Sequence, residues 1–174
     1  SDDLNKLKSA DRLILPGVGH FVHGMNQLHT LGMSDIIKEH ALNDQKPILG
    51  ICLGMQLMTN FSEEGDVAGL GLIDARTKKI QLQDKSLKIP HMGWNEVSWQ
   101  KESILLNSIT EKPRYYFVHS YFVECNHKED ILGTTHYGQD FVAAFQHKNI
   151  VGMQFHPEKS HQFGMELLKN FSKM

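Results

Sequence analysis

Pro47-Ile-Leu-Gly-Ile51 is a short apolar run of strand length, and Met55 to Asn60 reads as a helix. Between them lies Gly50-Ile51-Cys52-Leu53-Gly54, one cysteine with a glycine two residues to either side. This is a G-x-C-x-G elbow, the thiol counterpart of the G-x-S-x-G strand-to-helix turn. A side chain at either glycine position would clash in so tight a turn. The turn lifts the thiol onto the C-terminal edge of a sheet, where open α/β folds bind ligands. The thiol also sits at a helix N-terminus, whose dipole favours thiolate and is expected to lower the thiol pKa. A lone cysteine is commonly a buried structural residue. The flanking glycines bring the nucleophile reading level with that one.

Upstream, Arg12-Leu-Ile-Leu15 reads as a buried strand stopped by Pro16-Gly17-Val18-Gly19. A glycine-rich turn exposes backbone N–H groups to a developing oxyanion, and Leu53 N–H, directly after the cysteine, is the natural second donor. A phosphate loop is the competing reading, but this stretch lacks the longer glycine fingerprint and any P-loop lysine. Phe21 to His40 has helical spacing with a break at Gly32. The polar start, Ser1 to Lys8, reads as a short helix with Asp2 and Asp3 in its first turn.

Downstream, Gly65 to Gly71 reads as loop, and Lys78–Gln83 and Glu96–Trp99 alternate as half-buried strands. Arg114-Tyr-Tyr-Phe-Val-His119 is a strong strand followed by Tyr121-Phe-Val123. Phe141–Phe145 and Ile150–Phe155 form a hairpin around His147-Lys-Asn149, and Gly164 to Met174 is a closing amphipathic helix. Strands alternating with helices in the first half predict a parallel sheet covered by helices. The middle is more antiparallel.

A nucleophilic cysteine needs a base oriented by a third group. Among eleven histidines, His156 in Gln154-Phe-His-Pro-Glu158 is the best candidate, because it ends an apolar strand. Pro157 biases it toward extended backbone. Residues i and i+2 then share a side, so Glu158 can hold the imidazole nitrogen that faces away from the sulfur. Gln56, one helical turn past Cys52, shares its rim and could hold a polar headgroup, although a solvated helix glutamine is equally common. Val118-His-Ser-Tyr121 ends a strand with three polar side chains and reads as the opposite wall of a pocket.

Composition sets the limits. The chain has 174 residues, 40% hydrophobic and 22% charged, with a formal charge of −2. That suits one globular domain over 1–174, able to bury roughly 70% of its unfolded surface. Near-neutral charge excludes a strong electrostatic footprint for nucleic acid or acidic lipid. No apolar run approaches a membrane span, and the start lacks a signal-peptide core. Cys52 and Cys125 cannot make a disulfide framework, so the chain reads as soluble and cytoplasmic. His20-x-x-His23 and Cys125-x-His127 have ligand-like spacing without a matching second pair, so no metal is expected.

Three stretches together resemble the class I (triad) glutamine amidotransferases: Leu15-Pro-Gly-Val-Gly19, Gly50-Ile-Cys-Leu-Gly-Met-Gln56 and Gln154-Phe-His-Pro-Glu158. Pro90-His-Met-Gly-Trp-Asn95, Tyr116-Phe-Val-His-Ser-Tyr121 and His156-Pro-Glu-Lys-Ser160 narrow this to glutaminase subunits of imidazole glycerol phosphate synthase. The resemblance implies an α/β, flavodoxin-like fold with a central, mostly parallel sheet flanked by helices and an antiparallel portion. It implies a Cys52–His156–Glu158 triad that hydrolyses L-glutamine to glutamate and ammonia without a cofactor. Gly17, Val18, Gly19 and Leu53 would stabilise the oxyanion, and Gln56, Ser120 and Tyr121 would grip glutamine. Ammonia would pass to a (β/α)₈-barrel cyclase subunit in a heterodimer, with Trp94, Tyr116 and Lys159 at that interface.

The departures carry their own expectations. Family members begin with a further strand and helix bearing a Tyr-Gly-x-Gly-Asn element, so this chain reads as N-terminally incomplete. His20, Cys125, Thr134-Thr-His-Tyr-Gly138 and His161-Gln-Phe-Gly-Met165 resemble paralogues from bacterial surface-glycan clusters. There the ammonia is thought to serve a sugar modification of the acetamidino type. Two readings from other classes stand beside these. A catalytically silent binding module would be expected to lose one of Cys52, His156 and Glu158. A thiol peptidase would act alone and on peptides.

Overall fold

The computed structural model describes residues 3–109 and 113–174. Its parallel centre is β2 (Ile48–Cys52), flanked by β1 (Leu13–Gly17) and β12 (Ile150–Met153). Cys52 lies opposite Gly17, so the end of β1 and the elbow are brought side by side by register alone. β2 is buried along its whole length. It packs Ile48 into a core under the helices and Leu49 and Ile51 into a second core on the other face. That two-sided burial is why the strand is a continuous apolar run rather than an alternating one.

Beyond β12 the sheet turns antiparallel. β11 (Asp140–His147) pairs β12, then β9 (Tyr121–Cys125) and β5 (Ala75–Lys79) follow. β5 is joined in parallel by β3 (Phe61–Ser62), which pairs β4 (Val67–Ala68). β10 (Ile131–His136) bridges β11 and β7 (Ser98–Trp99). A separate ribbon pairs β6 (His91–Glu96) with β8 (Arg114–His119). The sheet is thus mixed, parallel at its centre and antiparallel over a wider span. A parallel pair needs a crossover of a dozen or more residues, usually helical. Such a crossover lies between β1 and β2, whereas from β5 to β12 the described residues between strands are loops and 3₁₀ segments, with no α-helix among them.

The helices are α1 (Leu4–Ser9), α2 (Phe21–Thr30), α3 (Met33–Lys38), α4 (Leu53–Leu57) and α5 (His161–Phe171). Gly32 breaks the long helical pattern in the left-handed region, at φ 66°, and a π-helical turn continues α3 over Glu39–Asn43. Among the described residues, no helix is long and apolar enough to cross a membrane.

Several expectations from the sequence shift. Asp3 is not inside the first turn of α1 but caps it, accepting from Asn5 N and Lys6 N at 3.0 and 3.3 Å; Asp2 lies outside the described residues. β1 is not buried throughout: it pairs β2 on one side, and Ile14 is 51% exposed. It also runs through Pro16 to Gly17, tolerable because proline is confined to strand edges. α4 starts at Leu53, directly on the cysteine, and α5 starts three residues before Gly164. The loop 65–71 contains β4, and the strand expected over 78–83 sits earlier, at Ala75–Lys79. The strand expected over 96–99 is β7 alone, since Glu96 closes β6.

Candidate active site

The elbow has the steric character its glycines imply. A Cβ on Gly50 would lie 2.7 Å from the Met55 backbone, and one on Gly54 would lie 1.7 Å from the Leu15 carbonyl oxygen. Both positions need the space of a hydrogen, because β2, α4 and β1 meet backbone to backbone. The turn is completed by Cys52 itself, at φ 53°, ψ −111°. A non-glycine residue there costs about 1–3 kcal/mol, a strain typical of sites where geometry outranks stability.

Cys52 is buried, and its surroundings are specific. Its thiol donates to the Val118 carbonyl at 3.8 Å, and Gln154 Nε2 donates to the sulfur at 3.8 Å. The Leu53 N–H, expected to be an oxyanion donor, is hydrogen-bonded to the sulfur in this state. Burial pushes the thiol up to about 11, with the Glu158 carboxylate adding to the shift. Leu53 N–H, Lys159 and Gln154 oppose it without reversing it. This corrects the expectation of a lowered thiol pKa: α4 has only five residues, and the loss of water outweighs its short dipole. The thiolate is the reactive form. Iodoacetamide alkylation of Cys52 in the isolated subunit should therefore still be climbing at about pH 10, and a plateau at or below the ordinary thiol value of 9.0 would contradict this.

His156 stands at the end of the strand-to-helix connection after β12, 2% exposed. Its N–H bonds the Tyr116 carbonyl at 2.9 Å; Ser160 Oγ donates to the His156 carbonyl at 2.6 Å and accepts from Tyr116 N at 3.0 Å. The ring is pinned as well. Nδ1 donates to Glu158 Oε1 at 2.8 Å, and Nε2 is buried with no hydrogen-bond partner among the described residues. With Nδ1 protonated against a carboxylate, Nε2 carries the lone pair that can take a proton.

Cys52 and His156 face one cleft of about 420 Å³. Val18, Gly19 and Leu53 line it on the side of β1, and Gln56, Ser120 and Tyr121 on the other. Gly19 is at φ 100°, and Val18 is 75% exposed. Gly17 lies in β1 opposite Cys52 and is not part of the cleft lining. The thiol and the imidazole share the cleft without a hydrogen bond between them, and the thiol donates to the Val118 carbonyl. Gln56 is nearly buried, not solvated. Its amide nitrogen donates to Tyr121 O and Gln154 Oε1, both at 3.0 Å, leaving its carbonyl oxygen without a partner among the described residues. Tyr121 contributes its backbone carbonyl to this arrangement.

The sequence alone assigns no role to two residues at the site. Glu64 lines the cleft and accepts from Phe21 N at 2.7 Å, closing the start of α2. Gln154 opens the histidine motif and is fully buried, with Nε2 donating to the sulfur, a contact no local pattern announces.

Trp94, Tyr116 and Lys159 come together on the outer face of the β6–β8 ribbon. Trp94 and Tyr116 are register partners with rings 6.0 Å apart. Trp94 is 41% exposed and stacks on His161 at 5.1 Å, and Lys159 Nζ lies 5.9 Å over the Tyr116 ring. Met92, opposite Val118, carries the same face to the cleft wall.

A family model, Glutamine amidotransferase class-I, matches residues 1–174. Imidazole glycerol phosphate synthase subunit HisH 2 of Methanococcus maripaludis is 50% identical over 173 residues, covering 99% of this chain and 85% of the relative. The Pseudomonas aeruginosa protein of the same name is 47% identical over 174 residues, covering 100% and 86%. A crystal structure of a glutamine amidotransferase shares the fold, with a TM-score of 0.73 at 13% identity over 99% of this chain and 85% of that one. An elbow cysteine, a carboxylate-held histidine and full-length matches to one enzyme family agree, and the chain belongs to the class-I glutamine amidotransferases.

Proposed function

We propose that the chain, as one amidotransferase domain, is the glutaminase subunit that supplies ammonia for imidazole glycerol phosphate synthesis in histidine biosynthesis. The observation that carries this reading is His156. Its Nδ1 is held by Glu158, and its buried Nε2 is unpartnered in the cleft that contains Cys52. The relatives named as synthase subunits support the pathway.

In this reading Cys52 Sγ attacks the side-chain amide carbon of glutamine and His156 Nε2 takes the thiol proton. The tetrahedral oxyanion is held at the Val18–Gly19 turn and by Leu53 N–H, freed once the sulfur is bonded to carbon. Gly17 places that turn beside the elbow. His156 then gives its proton to the departing nitrogen, and ammonia leaves a thioester. Water, deprotonated by the same nitrogen, releases glutamate and restores the thiol. The Glu64 carboxylate suits the substrate ammonium, while the Gln56 carbonyl, Ser120 and Tyr121 hold the rest of the amino-acid headgroup. No cofactor or metal takes part.

Burial of the thiol requires the base, since little thiolate forms unaided. The ribbon face bearing Met92, Trp94 and Tyr116, with Lys159 at its edge, is where a (β/α)₈-barrel cyclase subunit would dock to form a heterodimer. The barrel would receive ammonia without its passing through water. Such a pair works in the cytoplasm. The test is glutamate release from L-glutamine by the subunit alone and with its barrel protein. Release that rises sharply with the partner fits, and none in either state sinks the reading.

A graded effect is expected within the triad. His156→Ala should cost about 10³-fold or more in kcat, because it removes the base. Glu158→Gln should cost less, by a factor of roughly 10–100 relative to the His156→Ala loss, because the base itself remains. Equal losses in the two variants would contradict these roles.

A further inference from the structure

The ribbon carries two histidines on its inner face that the triad does not use. His91 on β6 and His119 on β8 are register partners, 3% and 5% exposed. They are packed among Phe117, Phe141 and Tyr137, with His91 stacked 4.2 Å from the Tyr137 ring. Their rings are joined, His91 Nδ1 to His119 Nε2 at 2.9 Å. His119 Nδ1 reaches the Tyr121 carbonyl at 2.8 Å, and Asn95 Nδ2 reaches His91 Nε2 at 3.3 Å.

Elementary bonding rules leave these contacts one protonation pattern. A carbonyl cannot donate, so His119 carries its proton on Nδ1. Its Nε2 must then accept, so His91 carries its proton on Nδ1 as well. His91 Nε2 in turn accepts from Asn95, whose other amide hydrogen goes to His136 O at 2.8 Å. From Asn95 through His91 and His119 the donors all point one way, toward Tyr121 O. The Tyr121 carbonyl receives the last of them on one lone pair and Gln56 Nε2 on the other. From Gln56 the bonds continue to Gln154 and to the sulfur of Cys52.

We propose that His91 and His119 are positioning residues for glutamine binding: their one-way hydrogen bonds fix the Tyr121 carbonyl, which holds the Gln56 amide with its oxygen free for substrate. The proposal rests on the glutaminase reading above. Without the donor on His119, Tyr121 O loses one of these two bonds, and the carbonyl that places the Gln56 amide is free to shift. A third proton anywhere on the two rings would set two donors face to face. Burial pushes His91 down to about 4 and His119 down to about 3, which keeps both rings neutral at cellular pH.

The strand that carries His91 and Asn95 inward carries Met92 and Trp94 outward, so the docking face and the substrate cleft are joined through one strand. A positioning role predicts a loss of substrate affinity more than of turnover.

Two measurements on the full-length subunit with its barrel partner test this. Histidine ¹⁵N NMR should find both rings as neutral Nδ1–H tautomers, the less common form in solution. An Nε2–H tautomer on either ring overturns the proposal. The second uses a substitution pair at His119. An asparagine amide nitrogen falls near the position of Nδ1 and can still donate to Tyr121 O, whereas a glutamine amide falls near Nε2 and cannot. His119→Gln should raise KM for glutamine about tenfold, with kcat changed less than about threefold, and His119→Asn should restore KM to within about threefold of wild type. A merely structural histidine would make the two variants alike, and equal KM values overturn the proposal. Wild-type complex that releases no glutamate would overturn the glutaminase reading and the positioning role with it. Unchanged tautomers in that case would show hydrogen bonds that serve the fold alone.

Discussion

Cys52→Ala should abolish glutamate release, by a factor on the order of 10⁴ or more, in the subunit with its barrel partner. The expected size follows from covalent catalysis. Without the sulfur no thioester forms, and the residual rate is what the oxyanion donors and substrate binding supply to water alone. The fold should survive. Alanine and cysteine bear the same cost at φ 53°, and the sulfur's contacts with Val118 O and Gln154 Nε2 are long, both at 3.8 Å. The expected change in stability is within about 1 kcal/mol. Binding to the proposed barrel partner should also persist, because the proposed docking residues Trp94, Tyr116 and Lys159 lie on the outer face of the ribbon and not at the sulfur. Glutamate release, urea unfolding and titration against the barrel protein separate these outcomes. A mutant that hydrolyses glutamine at the wild-type rate would remove Cys52 from the mechanism.

The second large effect is structural. Gly54→Ala should destabilise the fold by roughly 3 kcal/mol or more, or prevent folding. The added carbon would stand 1.7 Å from Leu15 O and 2.7 Å from Leu15 C, so main-chain atoms of β1, not a flexible side chain, would have to give way. Relief requires α4 to withdraw from β1, which moves Leu53 and the sulfur together. Activity should fall even in whatever fraction folds. Gly19→Ala is the contrast. Nothing lies within 4 Å of its added carbon, so only the cost of φ 100° remains, about 1 kcal/mol. The midpoint of urea unfolding reads both. A Gly54→Ala protein within about 0.5 kcal/mol of wild type would mean that the elbow is looser than its contacts require.

The proposed triad lies in two local motifs, and each is legible for a local reason. The glycines around Cys52 mark a turn that only a hydrogen fits, and Pro157 extends the chain so that His156 and Glu158 share a side. The same locality misleads about the thiol. A helix N-terminus argues for thiolate, but the short α4 sits in a buried cleft, and desolvation wins. Burial is a sum over segments distant in sequence, and no motif reports it.

The rest of the cleft follows that division. Glu64 meets the start of α2, 43 residues away in sequence, only once the chain is folded. Gln154 touches a sulfur 102 residues away, and Gln56 is sorted into donor and acceptor ends by a carbonyl 65 residues away. The short strands β3, β4 and β7 are pairings of two residues each, too brief to leave a periodicity. Repeating patterns and rigid turns, whose energetics are settled within a few neighbours along the chain, made the family, the elbow and the parallel centre readable from residues alone. The ionisation of Cys52, the orientation of Gln56 and the neutral histidine pair depend on water excluded and hydrogen bonds made between segments that meet only when the chain is folded.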